Sequence, residues 1–151
     1  MKSKKIFLGS DHAGFYLKEV IKKYLQDSGV DIEDKGAYSF NPDDDYPDFI
    51  IPVAKNVVED PEHNKGIVFG ASGQGEAIAA NKIKGVRAAV YYGGNKGIVK
   101  LSRTHNDANI LSLGARLLTK DEALSAVKLW LKTDFSNETR HIRRIKKIDN
   151  L

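Results

Sequence analysis

The chain has 151 residues, a length that favours one domain, so we expect a single domain over residues 1–151. Such a chain buries about 70% of the surface that it exposes when unfolded, and its core therefore needs no covalent or metal support. Cysteine is absent, which excludes disulfides, thiolate metal sites and a cysteine nucleophile. The formal net charge of +4 suits an anionic ligand.

Two further classes of protein are disfavoured by the distribution of apolar residues. No run approaches the roughly 18 apolar residues of a membrane span. The apolar run that follows the basic start of the chain is too short for the core of a secretory signal. We therefore expect a soluble cytoplasmic protein with no membrane partner.

Segments with strand and helix patterns alternate along the chain. Apolar runs bounded by glycine or turn residues predict five strands, at 5–10, 30–34, 65–70, 86–92 and 108–114. Apolar residues at helical spacing predict helices at about 14–29, 47–59, 75–82, 94–103, 119–133 and 137–148. Thr119 and Glu122 have the spacing of a capping box at the start of the fifth helix. The last helix is strongly basic.

This alternation predicts an α/β fold, a Rossmann-like three-layer αβα arrangement around a five-stranded parallel sheet. With right-handed crossovers, the simplest strand order is 2-1-3-4-5. In such sheets, ligands bind beyond the carboxyl ends of the strands at the point where the strand order reverses. The loops 10–14 and 70–76 meet at that point, so we expect the functional site there.

The loop 70–76, "GASGQGE", is rich in glycine but has neither the spacing of a dinucleotide site nor the lysine of a P-loop. Gly73 and Gly75 let the backbone approach a ligand, and amides at the start of a helix can hold an oxyanion. Glu76 is either a carboxylate paired with the helix dipole or a general base. Beside an anion hole, we favour a base that moves a proton between adjacent carbons. Ser72 either caps the helix or adds a hydroxyl donor.

Asp11 and His12 follow the first strand directly. Their pairing is explained either by turn chemistry or by binding, with Asp11 on a sugar hydroxyl and His12 on a phosphate or a proton. A receiver-type phosphorylation site is disfavoured because the third strand ends in Gly70 and not in aspartate. A flavin mononucleotide site is disfavoured because no Ser/Thr-rich loop follows the first strand.

His105 and Asn106 precede the fifth strand, so they lie at the opposite edge of the sheet from the two loops. His105 is either a surface residue or, if it is catalytic, a residue that a second subunit supplies. The second interpretation predicts a dimer with composite sites.

The basic end of the chain carries Arg140 and Arg144, which are four residues apart and share one helix face. They can therefore bind one phosphate together. Arg116, just after the fifth strand, lies at the same edge as the two loops. A solvated helix face and nucleic-acid binding are the alternatives. Because no aromatic residues are interleaved and no DNA-binding motif is present, we favour a phosphate clamp and no nucleic-acid partner.

Several ordered motifs resemble those of the ribose-5-phosphate isomerase type B family, which includes the galactose-6-phosphate isomerase subunits of lactose operons. They are "GSDHAGFYLK", "DKGAYS", "DYPD", "GASGQGEAIAANK", "GVRAA", "SRTHNDANILSLGAR" and "TRHIRRI". The resemblance extends from about residue 4 to 148. It implies aldose–ketose isomerisation of phosphorylated sugars through a cis-enediolate, with no metal or organic cofactor. For this chain it implies interconversion of ribose 5-phosphate and ribulose 5-phosphate in the pentose phosphate pathway.

The resemblance also implies roles for individual residues. Asp11 and His12 match the substrate-binding motif, and His105 matches the ring-opening histidine, with Asn106 beside it. Tyr46, in the "DYP" motif, is expected to line the pocket. The amides implied to form the anion hole are those around Ser72, Gly73, Gln74 and Gly75. Gly70 and Ala71, in the same loop, are expected to bind the substrate. With His12, the implied phosphate ligands are Arg116, Arg140 and Arg144.

The chain departs from the commonest pattern of the family at two positions. Many members carry a cysteine base where this chain has Gly70, whereas another subgroup carries a glutamate at the position of Glu76. This chain resembles the glutamate subgroup. Ala71 replaces a glycine that is usual in the family, and its methyl group narrows the backbone options of the loop.

Two alternatives remain open from the sequence. In the first alternative, the protein is an isomerase whose substrate is a six-carbon sugar phosphate, such as allose or galactose 6-phosphate. In the second, it is a sugar-phosphate sensor without catalysis that binds nucleic acid through its basic last helix. For the favoured isomerase we expect a homodimer or a dimer of dimers.

Overall fold

A computed structural model describes residues 4–151 of the chain. Its strands are β1 Lys5–Ser10, β2 Asp31–Asp34, β3 Asn64–Gly70, β4 Ala88–Tyr91 and β5 Ile110–Gly114. Its helices are α1 Phe15–Asp27, α2 Pro47–Glu59, α3 Gln74–Ala80, α4 Gly97–Thr104, α5 Lys120–Lys132 and α6 Thr139–Asp149, with a short 3-10 turn at His12–Gly14. The predicted elements are all present, with ends shifted by a few residues. Within residues 4–151, no helix has the length and apolar character needed to cross a membrane.

The strands form one parallel sheet with helices on both faces, which confirms the predicted fold class. One face carries a core cluster that includes Ile21 of α1 and Trp130 of α5, and the other carries a cluster that includes Ile50 and Val53 of α2. The predicted capping box is also confirmed. The Thr119 hydroxyl accepts from the Glu122 amide.

The strand order is β2-β1-β3-β5-β4, so the predicted order 2-1-3-4-5 is wrong for its last two strands. The burial of the two strands explains why β4 and β5 exchange their predicted positions. Every residue of β5 is buried, whereas β4 is only partly buried, so β5 takes the inner position and β4 the edge. The Ser112 hydroxyl of β5 also donates to the Gly73 carbonyl over 2.7 Å, a contact that places β5 beside the glycine-rich loop.

This order determines which loops meet at the carboxyl edge of the sheet. Because β5 lies next to β3, the segment after β5 is held against the glycine-rich loop. The Ala115 amide donates to the Gly70 carbonyl over 2.8 Å, and the Arg116 amide donates to the Ala71 carbonyl over 3.1 Å. Three loops therefore come together at this edge, those that follow β1, β3 and β5.

Candidate active site

Asp11 is buried where β1 ends. Its Oδ1 accepts a hydrogen bond from the Ala13 amide over 3.0 Å and so caps the 3-10 turn. The turn chemistry considered from the sequence is therefore present. The charge of this carboxylate contributes to the raised pKa of Glu76.

His12 is held by Asp44, a residue that the sequence analysis missed. Asp44 Oδ1 accepts from the His12 amide over 3.0 Å and lies 2.7 Å from His12 Nδ1. Potential ligand atoms of Asp11, His12 and Asp44 all lie within 4.8 Å of one another, the one such group of three among residues 4–151. The only signal for Asp44 was the "DDD" run before Tyr46.

The glycine-rich loop turns between β3 and α3 through Gly73, whose φ of 80° lies in the left-handed region. Gly73 is the N-cap of α3, which excludes Ser72 from that position. The Ser72 hydroxyl accepts from the Gln74 amide over 3.3 Å. Within residues 4–151, the amides of Ser72 and Gly73 donate no hydrogen bond. These amides are therefore available to an oxygen of a ligand.

Glu76 is 4% exposed, and its carboxylate occupies the space beside Gly70. A Cβ atom placed on Gly70 would lie 1.3 Å from Glu76 Oε1. Burial raises the pKa of the Glu76 carboxyl, its own backbone amide partly opposes the rise, and the Asp11 charge adds to it. A buried carboxylate with a raised pKa is suited to accept and return a proton.

Gly70→Ala is expected to lower kcat about tenfold or more, because the added methyl group must displace the Glu76 carboxylate from its position. Steady-state kinetics with circular dichroism would separate this effect from unfolding. The exposed Gly97→Ala adds a methyl group to a glycine at the start of α4, which has no role in the candidate site, and serves as the matched control. Normal turnover of Gly70→Ala would contradict the placement of the base.

Tyr46 and Arg116 complete this edge of the site. The Tyr46 ring packs against Gly75, where an added Cβ atom would lie 2.7 Å from the hydroxyl oxygen. The exposed Arg116 side chain makes no hydrogen bond or ion pair in the described part of the chain. Gln74 is exposed on the loop. The predicted pocket position of Tyr46 and the free guanidinium of Arg116 both suit a small anionic ligand.

The remaining predicted residues lie at the opposite edge of the sheet, which the sequence indicated for His105 and Asn106 but not for Arg140 and Arg144. His105 follows α4, and Asn106 follows His105. Arg140 and Arg144 lie exposed on α6. The length of β5, about 13 Å, separates this group from the loops. A single chain therefore does not combine Arg140 and Arg144 with Arg116.

His141 is a second residue that sequence analysis missed. It is the one described residue of α6 that is buried, and its ring stacks on His105 with centroids 4.2 Å apart. Burial lowers the pKa of His141, and the charges of His105 and Arg140 lower it further. The stacking fixes α6 next to the end of α4, which brings the two histidines and the arginines into one group.

Comparison with known proteins agrees with this arrangement. A family model described as Ribose/Galactose Isomerase matches residues 6–148. The chain therefore belongs to the ribose/galactose isomerase family.

Individual relatives cover nearly the whole chain. Ribose-5-phosphate isomerase B of Mycolicibacterium paratuberculosis is 45% identical over 93% of this chain and 87% of its own length. The structure of ribose-5-phosphate isomerase B from Mycoplasma genitalium, with bound ribulose-5-phosphate, is 38% identical, with a TM-score of 0.94 over 99% of this chain and 97% of that one. The enzyme from Clostridium thermocellum is 44% identical, with a TM-score of 0.89 over 97% and 95% of the two chains.

Proposed function

We propose that this protein interconverts ribose 5-phosphate and ribulose 5-phosphate through a cis-enediolate, with Glu76 as the base and without a metal. One observation carries the proposal. The buried Glu76 carboxylate fills the space beside Gly70, next to loop amides that have no partner within the described chain. The names of the relatives, and the ribulose-5-phosphate bound in one of them, support this choice of substrate.

The chemistry follows from the placement of these groups. In the open-chain aldose, Glu76 removes the proton from C2, and the electron pair moves to form the C1–C2 double bond and a negative oxygen on C1. The free amides of Ser72 and Gly73 stabilise that oxygen, with the Ser72 hydroxyl beside them. Transfer of the proton from Glu76 to C1, with a hydroxyl proton moving between the two oxygens, yields the ketose. Asp11 binds a sugar hydroxyl.

A second copy of the chain completes the site in this scheme. His105 of that copy opens the furanose ring with the help of Asp11, and Asn106 binds the substrate beside it. Within one chain, His105 and Asn106 lie at the far edge of the sheet. The incomplete burial of α6 supports this assembly. Its apolar stripe of Ile142, Ile145 and Ile148 is only partly covered, and Ile148 is 52% exposed. A homodimer or a dimer of dimers covers such a face.

The substrate phosphate binds to groups from both copies. His12 and Arg116 approach it from the loop edge, and Arg140 and Arg144 approach it from α6 of the second copy. Guanidinium groups bind phosphate oxygens in pairs, and this accounts for two arginines on one helix face. This arrangement also separates the phosphate from the Glu76 carboxylate, whose negative charge would repel the phosphate.

His105→Ala is expected to reduce turnover of the cyclic aldose about 10²-fold or more, since ring opening then lacks its proton donor. Turnover of ribulose 5-phosphate, which has no ring to open, should fall much less. Initial rates in the two directions measure the difference. Equal losses in both directions would argue against a role in ring opening.

The choice of sugar is tested by comparing kcat/KM for ribose 5-phosphate, allose 6-phosphate and galactose 6-phosphate. We expect the five-carbon substrate to be favoured by about tenfold or more, the discrimination that one extra carbon gives in a closed pocket. Preference for a six-carbon sugar would reassign the substrate within the family. Binding of all three without conversion would instead support a sensor.

A further inference from the structure

Asp44 is a buried carboxylate in an exposed turn. Its neighbours Asp43 and Asp45 are exposed, whereas the side chain of Asp44 is 9% exposed. Its Oδ1 accepts from both the main-chain amide and the ring Nδ1 of His12, across 32 residues of sequence. One oxygen therefore fixes the backbone and the ring of the same residue.

These two contacts determine which ring nitrogen of His12 faces the ligand. A nitrogen 2.7 Å from a carboxylate oxygen carries the proton, so Nδ1 is the donor to Asp44. Nε2 is then the nitrogen left for the substrate, and no hydrogen bond to it occurs within the described residues. The His12 ring lies perpendicular to the Phe40 ring, with centroids 6.2 Å apart, and Phe40 stacks on Tyr16. The ring is thus held by a carboxylate on one side and by aromatic groups on another.

The other oxygen of Asp44 indicates that this carboxylate is not there for stability. Asp44 Oδ2 is buried and has no hydrogen-bond partner within residues 4–151. Burial of an unsatisfied polar atom is unfavourable, and most such atoms in folded proteins have partners. An exposed turn has no structural need for a buried carboxylate. The contacts to His12 therefore account for the presence of the Asp44 carboxylate.

We propose that Asp44 is a positioning residue: through Oδ1 it holds the His12 ring so that Nε2 faces the substrate phosphate. This role rests on the proposed function, in which His12 binds that phosphate. Asp44 itself does not contact the substrate and acts only through His12.

A double-mutant cycle tests this dependence. Asp44→Ala and His12→Ala should each raise the KM for ribose 5-phosphate about tenfold, with a smaller change in kcat, because both remove binding of the phosphate. The double variant should be no worse than His12→Ala alone. Asp44→Asn retains an Oδ1 that accepts both hydrogen bonds and should restore the KM to within about threefold of the wild type. The exposed Asp43→Ala is the matched control and should leave the KM unchanged.

A spectroscopic measurement separates this proposal from the proposed function. Four histidines are present in the chain, so the His12 ring nitrogens can be assigned by ¹⁵N NMR. In the neutral form of the ring, the wild type should hold the proton on Nδ1, and Asp44→Ala should move it largely to Nε2. If the wild type fails to convert ribose 5-phosphate, the proposed function fails, and this tautomer change alone decides whether Asp44 orients His12. The positioning role would be overturned if the KM of the double variant rose by the product of the two single increases. An unchanged tautomer in Asp44→Ala would overturn it as well.

Discussion

Replacing Glu76 by glutamine is expected to lower kcat for ribose 5-phosphate by about 10²–10⁴-fold, the range that loss of a general base produces. Glutamine fills the same buried space beside Gly70 but cannot accept the proton from C2. The KM should change little, because the groups proposed to bind the phosphate are unchanged. Steady-state kinetics in both directions measures the effect. Turnover near that of the wild type would exclude Glu76 as the base.

The same substitution is expected to stabilise the folded protein at neutral pH. Burial raises the pKa of Glu76 in the folded state, so the protonated carboxyl is favoured there. The stability that the protonated Glu76 carboxyl contributes is fully present below its pKa in the unfolded chain. It is lost as the pH rises through the pKa of Glu76 in the folded state. The Tm of Glu76→Gln should therefore exceed that of the wild type at about pH 8, and the difference should shrink at about pH 4. A less stable variant at neutral pH would show that the carboxylate is well solvated or paired.

A mixed dimer is expected to recover activity that neither parent variant has. We assume that each site takes Glu76 from one copy and His105 from the other. A dimer of one Glu76→Gln chain and one His105→Ala chain then has two different sites. One site carries both substitutions, and the other carries neither. Such a dimer, co-expressed with two tags and purified, should have about half of the wild-type activity on ribose 5-phosphate.

The control for this experiment uses two residues from the same edge of the sheet. A mixed dimer of Glu76→Gln and Asp11→Asn chains has one altered loop group in each site, so it should recover nothing. Absence of recovery in the His105 pair, or equal recovery in both pairs, would contradict the composite site.

The position of the candidate site could be predicted from the sequence because it depends on local pattern. The apolar run that ends in Gly70 and the loop that leads to Glu76 were enough to place a carboxylate beside backbone amides at the carboxyl edge of the sheet. His105 was correctly placed at the opposite edge because it precedes β5, and the direction of a parallel strand follows from its connections.

What could not be predicted depends on contacts between distant parts of the chain. The order of β4 and β5 is set by which strand is better buried and by the contact of Ser112 with the loop, neither of which has a local signature. Asp44 is one of three consecutive aspartates, and only the folded chain brings it to His12. His141 resembled a surface residue of a basic helix until its stacking on His105 was known.

The proposed reaction is isomerisation of a sugar phosphate by proton transfer to Glu76 without a metal. Its most direct test is the formation of ribulose 5-phosphate from ribose 5-phosphate by the wild type in the presence of EDTA, with Glu76→Gln measured alongside. We expect wild-type turnover that the chelator does not reduce and that collapses in the variant. No ketose from the wild type, or turnover that returns only when a divalent cation is added, would contradict it.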